Sequence, residues 1–401
     1  MSEFLDQLHL FGDVLDEFDE ANWNGSERRK ATRKELRSLH EFHSGGFEKW
    51  PEMNDDCKQI VVGFLPIRAR MRLRVCSKSD FQLVEKTPVR IDEMTIAKYG
   101  ERGGEFQVSM LLIDKELERK KRNSLNFSQL GDDVRIRWKR EARKPIIIPN
   151  SNYQDEGVKF AERWLKKSRY GVRDLTVDLS ANPFESSEIR FLPNVQKARI
   201  RATNENDMAW WLERLPEQLN SLYLYPKTWQ NRNLCLSADL VTRPQVRNAK
   251  DFDTSLRAAF TDSDLLSLKN HFCSFKNLYV TDRGINDFLR SWQNGQCVND
   301  FRRLVINGFE HGNPRILIEN LGAQLWDNEF KTKNRKFSFL VRRFFSKRDF
   351  YQIPSRVNPF DSLTVSYSKE RVIIIRTGFA KTVNNVTFTE YSLPQSSRSE
   401  S

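Results

Sequence analysis

The sequence is poor in the residues from which metal sites, disulfide frameworks and most active centres are built. Five cysteines, Cys57, Cys76, Cys235, Cys273 and Cys297, are scattered through 401 residues with no C-x-x-C pair. That spacing excludes a zinc ribbon or a c-type haem site and reads as buried thiols. Of five histidines only His271 and His311 fall in the main α/β region. His271 and Cys273 are two residues apart, whereas a nucleophile and its base normally meet through the fold. There is no G-x-x-x-x-G-K-S/T, no G-x-G-x-x-G behind a strand, no H-E-x-x-H and no G-x-S-x-G. No cofactor and no active centre are therefore expected. Acidic pairs such as Asp55 and Asp56 read as helix-start charges rather than acid/base catalysts. No run approaches the roughly 18 apolar residues of a membrane span. The acidic start MSEFLDQLHLFGDVLDEFDE lacks the basic region and apolar core of a secretory signal. The expectation is an intracellular protein, cytoplasmic or nuclear, without membrane association.

What is present is core-forming material and a diluted positive charge. Hydrophobic residues make up 38% and aromatics 11% of the chain, enough to bury real cores. The net charge of +12 arises from 66 Lys and Arg against 54 Asp and Glu, so the excess is spread over a large surface. Residues 3 to 18 carry Phe4, Leu5, Leu8, Phe11, Val14, Leu15 and Phe18 near helical spacing, and the basic stretch NGSERRKATRKELR follows as a linker or solvated helix face.

From Phe47 the texture sharpens. Asn54 is a helix N-cap, and Cys57, Ile60, Val61 and Phe64 fall at i, i+3, i+4, i+7 on one face. Pro66 ends this helix. The next stretch, IRARMRLRVCS, is ambiguous: Met71, Leu73 and Val75 alternate with arginines as in a strand, yet Ile67, Met71 and Val75 also lie four apart and the residues are strong helix formers. Ser77 or Ser79 caps a further short helix that Pro88 ends. From Val89 to Trp138, VRIDEMTI, FQVSMLLI and VRIRW read as a small β meander, closed by Pro145 and Pro149 around III.

Beyond it helix-like and strand-like pieces take turns. Five apolar-x-x-apolar-x-apolar pieces start at Val172, Val195, Leu219, Phe275 and Phe301; with a decayed copy at Val246 the intervals are 23, 24, 27, 29 and 26 residues, inside the leucine-rich-repeat range of about 20–29. The pattern is loose, and its alternation with helices is what gives it weight. It predicts a leucine-rich-repeat-like curved slab of α/β units, with an ordinary α/β domain as the alternative. LTVSY, VIII and VTFTEY suggest closing antiparallel strands before a Ser-rich tail.

A nucleic-acid reading rests on KTKNRKFSFLVRRFFSKRDF, Lys331 to Phe350, where cations interleave with phenylalanines. Phenylalanines spaced with Leu340 and Val341 fit a core with snorkelling arginines better.

The block FEKWPEMNDDCKQIVVGFLPIRARMRLRVCS resembles an F-box, a three-helix module that plugs into the Skp-type adaptor of a cullin-based (SCF-type) ubiquitin ligase. Trp50-Pro51 stands where the family has Leu-Pro, Met53 follows, Ile60 and Leu65 occupy the first helix and its exit, and Val75-Cys76 matches the family's Val-Cys. NDFLRSWQNG, Asn286 to Gly295, followed by FRRLVI, is similar to the Asn-x-Phe-Leu-x-x-Trp-x-x-Gly pattern of F-box-associated type 2 domains. The two in this order favour helix for IRARMRLRV. Phe288, Leu289 and Trp292 also form one helical face and Gly295 a C-cap, so these read as core rather than contact.

The resemblance implies an α+β multidomain chain: an N-terminal extension (1–46), an F-box (47–87), a β-rich spacer (88–150), an F-box-associated α/β repeat-like domain (151–393) and a tail (394–401). It implies adaptor contact through, or directly behind, Trp50, Pro51, Met53, Ile60, Leu65, Ile67 and Met71, and a protein substrate held by the C-terminal domain. The implied role is that of a non-catalytic substrate receptor. The alternatives are an adaptor-binding scaffold that ubiquitinates nothing and a basic nucleic-acid-binding protein.

Overall fold

A computed structural model describes residues 50–388 apart from 66, 90, 100–103, 113–120, 139–144, 190, 229–233, 298–299, 310–311, 326–348, 359–360, 369, 377–380 and 384–385. The amphipathic N-terminal segment, the basic linker, residues 331–348 of the basic aromatic stretch and the Ser-rich tail lie outside the described residues.

Among the described residues three short helices come first: α1 (Asp55–Phe64), α2 (Ile67–Arg74) and α3 (Lys78–Lys86). Each start follows from a side chain. The Asn54 carboxamide accepts from the Asp56 amide, and the Ser77 hydroxyl accepts from the Asp80 amide. The arginine-rich stretch is helical, in line with the propensities of Arg, Ala, Met and Leu rather than with its two-residue alternation. Val62, Leu83 and Val84 form the small core of these helices, with Trp50, Leu65 and Leu73 packed against it.

The rest is a mixed α/β body on one sixteen-stranded sheet. An antiparallel meander, β1 (Ile91–Tyr99), β2 (Glu105–Leu112), β3 (Lys121–Leu130), β4 (Asp133–Trp138) and β5 (Ile146–Ile148), forms one flank. Two of these strands depart from the sequence reading. The isoleucines between the prolines do not merely end the meander but pair with β4, and Lys121–Leu130 is a strand although its composition is polar. Its Leu125 and Phe127 are buried and alternate with the half-buried Ser124 and Asn126, so few apolar residues suffice.

Strand β1 then pairs in parallel with β6 (Val172–Asp178), and β7 (Lys197–Ala202), β8 (Ser221–Pro226), β10 (Asp251–Ala258), β11 (Phe272–Lys276) and β12 (Arg303–Asn307) follow side by side in chain order, all parallel. The two-residue β9 (Cys235–Leu236) pairs with β10. Sequential parallel neighbours are what stacked α/β units produce. The expected starts at Val195, Leu219 and Phe301 lie two residues upstream of the strands, because the first apolar residue of each is buried just before the chain enters the sheet. Two expectations need correction. Val246 lies in a helix, since Pro244 opens a helical turn there, and the strand begins at Asp251. Phe275 lies inside β11, not at its start. On the far flank β16 (Arg371–Arg376) pairs antiparallel with β12, followed by β15 (Ser362–Ser368), β14 (Asp349–Pro354) and β13 (Gln324–Leu325). The VTF of the last expected strand belongs to a separate hairpin, β17 (Lys381–Val383) and β18 (Val386–Phe388).

Helices α4 (Tyr153–Lys167), α5 (Glu205–Leu212), α6 (Ala238–Thr242), α7 (Pro244–Asn248), α8 (Asp262–Leu266), α9 (Asp282–Gln293) and α10 (Pro314–Leu317) add to one continuous core. Helix α4 lies so close to β2 that a Cβ on Gly157 would come within 2.1 Å of the Phe106 ring. Helix α9 carries the second family-like motif. Phe288, Leu289 and Trp292 are buried, Gly295 takes a φ of +72° just past the helix, and the buried Asn286 amide donates to the carbonyls of Ile316, Leu317 and Glu319. These residues build the core and cap α10.

Candidate functional site

The apolar stripe of α1 does not face the protein. A helix of this pattern ordinarily turns its apolar face inward, and the buried positions here are Lys58 and Val62 instead. Ile60 is 62% and Phe64 64% exposed, and Cys57 on the same stripe is also exposed. Val75 at 73% and Phe81 at 36% add further exposed apolar surface on the same three helices. These side chains leave apolar surface of the three helices open to solvent.

The scaffold behind the stripe is polar and specific. The guanidinium of Arg70, only 5% exposed, donates to three backbone carbonyls: Gly63 at 2.9 Å, Leu65 at 3.1 Å and Pro88 at 2.7 Å. It satisfies the C-terminal end of α1 and ties it to the exit of α3. The Trp50 indole donates to Asp80 Oδ1 at 2.9 Å, and Ser77 Oγ donates to Asp80 Oδ2 at 2.7 Å. Arg74 stacks over the Phe81 ring at 4.7 Å and pairs with Glu85 at 3.2 Å. Lys167 of α4 donates to the same Glu85 carboxylate at 3.2 Å, while the Val89 amide donates to the Lys167 carbonyl at 3.0 Å. Burial holds the Lys167 ammonium below the ordinary lysine range, with Glu85 opposing that shift. One carboxylate thus joins the helical module to the sheet.

The seven residues expected at the adaptor contact are spread unevenly. Pro51 and Ile60 are exposed, while Trp50, Met53 and Leu65 are half-buried, with Trp50 and Leu65 against the module's own core. The backbones of Ile67 and Met71 lie in α2, and their side chains are outside the described residues. Phe64 belongs with Ile60, one helical turn away. Its position on the stripe was legible, but its exposure was not.

A second surface is the uncovered face of the parallel strands. Register places Lys197, Ser221, Asp251 and Phe272 in one row and Arg199, Tyr223, Asp253 and Ser274 in the next, all half-exposed. The Tyr225 hydroxyl donates to Asp253 Oδ2 at 2.6 Å, and burial with that bond raises its pKa. Nothing here resembles a nucleophile and its base. Cys273 points into the core, where burial pushes its thiol up, and no group of three or more potential metal ligands occurs among the described residues. Among the same residues no helix is long and apolar enough to cross a membrane.

Comparison with known proteins gives one informative relationship. No protein-family model matches the chain, and no solved structure is similar to it. An uncharacterized F-box protein of Caenorhabditis elegans is 32% identical over 382 residues, which cover 92% of this chain and 99% of that protein. An alignment of that extent runs through both the outward-facing helices and the sheet, and the chain belongs to the family of F-box proteins.

Proposed function

We propose that this F-box protein is the substrate-recognition subunit of an SCF-type ubiquitin ligase. In this reading helices α1–α3 are the F-box, which docks on a Skp-type adaptor and through it on a cullin. The α/β part from residue 151 to 393, read as an F-box-associated type 2 domain, holds a protein substrate. The chain itself is non-catalytic: it supplies proximity, bringing substrate to a conjugating enzyme carried by other subunits. The reading places it in the cytoplasm, the nucleus or both.

The observation that carries the reading is the inverted stripe of α1. Ile60 and Phe64 are left to solvent while Val62, on the opposite side, is fully buried. Burying two such side chains in a partner contributes about 1.5–3 kcal/mol each. Pro51 and Met53 flank the stripe and complete the proposed contact, with Trp50, Leu65, Ile67 and Met71 beside or behind it. The Glu85 link to Lys167 fits a receptor that must hold substrate at a defined place relative to the adaptor.

Co-purification of the full chain with a Skp-type adaptor and a cullin tests this. A ternary complex that persists in high salt is expected, because apolar burial responds weakly to ionic strength. Adaptor capture without the cullin would point to the scaffold role, and absence of adaptor capture would overturn the proposal.

A further inference from the structure

The uncovered sheet face carries two cations that form no ion pair among the described residues, although Asp174 lies beside Lys197 in register and Asp251 and Asp253 lie further along the same rows. Along β7 the outward side chains are Lys197, Arg199 and Arg201. Arg201 pairs with Asp178 at 3.3 Å. Lys197 and Arg199 have no carboxylate within ion-pair distance among the described residues; instead both lean over Tyr223, Lys197 Nζ at 5.7 Å and Arg199 Cζ at 5.3 Å from the ring centre. The Nε of Arg199 is shielded from solvent and donates to no acceptor among the described residues, so the terminal nitrogens of its fork are what a ligand can reach. Beside them Tyr225 stacks on Tyr223 at 6.4 Å, its hydroxyl held by Asp253.

This chemistry selects its ligand. Outward residues two apart on a strand lie about 6.5–7 Å apart, the same spacing as alternate side chains of an extended peptide. Carboxylates at alternate positions therefore match Lys197 and Arg199, and Arg199 adds a planar fork suited to a carboxylate. A short segment confined to β7 and β8 meets these cations and clears Asp251 and Asp253 of β10, whereas a longer, continuous line of phosphates would also run over Asp178, Asp251 and Asp253.

We propose that the β7–β8 face binds a short extended acidic segment of a protein, its alternate carboxylates on Lys197 and Arg199 beside the rings of Tyr223 and Tyr225. This inference rests on the reading of the chain as a substrate receptor and names the class of substrate segment.

The test is fluorescence anisotropy with the full chain and short labelled peptides carrying glutamate, glutamine or lysine at alternate positions, beside a single-stranded RNA of similar length. The glutamate peptide binds at least about tenfold more tightly than the glutamine peptide, and the advantage shrinks with salt. K197E/R199E abolishes that preference and shifts it toward the lysine peptide, while the milder K197Q/R199Q removes it without reversal. Both variants keep the wild-type circular-dichroism spectrum and urea-unfolding midpoint, which shows that the sheet still folds. Equal binding of glutamate and glutamine peptides, no binding of either, an unchanged preference in both variants, or tighter binding of the RNA overturns the proposal. Failure of wild-type adaptor capture with peptide selectivity intact would instead overturn the ligase reading alone.

Discussion

Arg70 reaches out of the second N-terminal helix to the carbonyl oxygen of Pro88 at 2.7 Å, and the same guanidinium holds the carbonyls of Gly63 and Leu65. A single buried cation thereby sets how the first helix sits against the exit of the third. That geometry leaves Ile60 and Phe64 facing outward.

Replacement of Arg70 by Met leaves those carbonyls without their donor and is expected to cost roughly 3 kcal/mol, a figure that follows from unsatisfied buried acceptors. Arg70→Lys recovers only part of this, since one ammonium cannot reproduce a planar fork spanning three acceptors. Hydrogen exchange is the readout. Amides of α1–α3 lose protection in Arg70→Met while those of the parallel strands keep theirs; uniform loss across the chain would show that the module has no stability of its own.

Cysteine alkylation gives a map of the surface. Cys57 and Cys76 are exposed and label first; Cys273 is buried with its thiol pKa raised by desolvation, and labels only in denaturant. Burial also raises the pKa values of Cys235 and Cys297. Because the reactive form is the thiolate, their labelling increases only as pH climbs past the ordinary thiol range. Saturating adaptor protects Cys57, which shares the stripe of Ile60 and Phe64, and leaves Cys235 unchanged. Mass spectrometry of the labelled peptides reads each site separately, and an unprotected Cys57 would place the adaptor elsewhere.

Gly284→Ala is expected to destabilise the sheet body. A Cβ there would come within 1.9 Å of Asp262 Oδ1, and Asp262 accepts from the Thr281 amide at 2.8 Å and the Thr281 hydroxyl at 2.7 Å. Crowding that carboxylate disturbs the start of α9 and costs about 2 kcal/mol. In urea unfolding, the further loss caused by Gly284→Ala is smaller in an Asp262→Ala background than in wild type, because the carboxylate that makes the two closest contacts is gone and only the Cβ at 2.7 Å remains. Additive losses would contradict this account of the glycine.

The features legible in the sequence were local ones. Asn54 and Ser77 marked helix starts because capping depends on near neighbours, and the strand cores followed from apolar alternation at residues such as Leu175, Val177, Leu222 and Leu224. The motif around Trp292 read correctly as core because three apolar residues at helical spacing next to a glycine describe a helix end. What stayed hidden depends on partners distant in the chain. Arg70 looked like one rung of an arginine ladder, since its burial requires carbonyls on either side of it in sequence and beyond the next helix. The stripe of α1 was visible as a stripe, but amphipathy alone does not tell whether the apolar face meets its own protein or solvent. Val246, read as a decayed copy of the repeat, was drawn into a helix by Pro244, two residues earlier. The rows joining Lys197 to Ser221 and Arg199 to Tyr223 exist only through strand register.

Isothermal titration of a purified Skp-type adaptor into the full chain reads whether the outward stripe of α1 is the plug for the ligase adaptor. Wild type is predicted to bind, and I60D/F64D, whose exposed positions tolerate charge without unfolding the module, is predicted to lose affinity by at least about a hundredfold, the scale of a lost interface hot spot. Equal affinity of a folded I60D/F64D and wild type, or no adaptor binding by folded wild type, would contradict it.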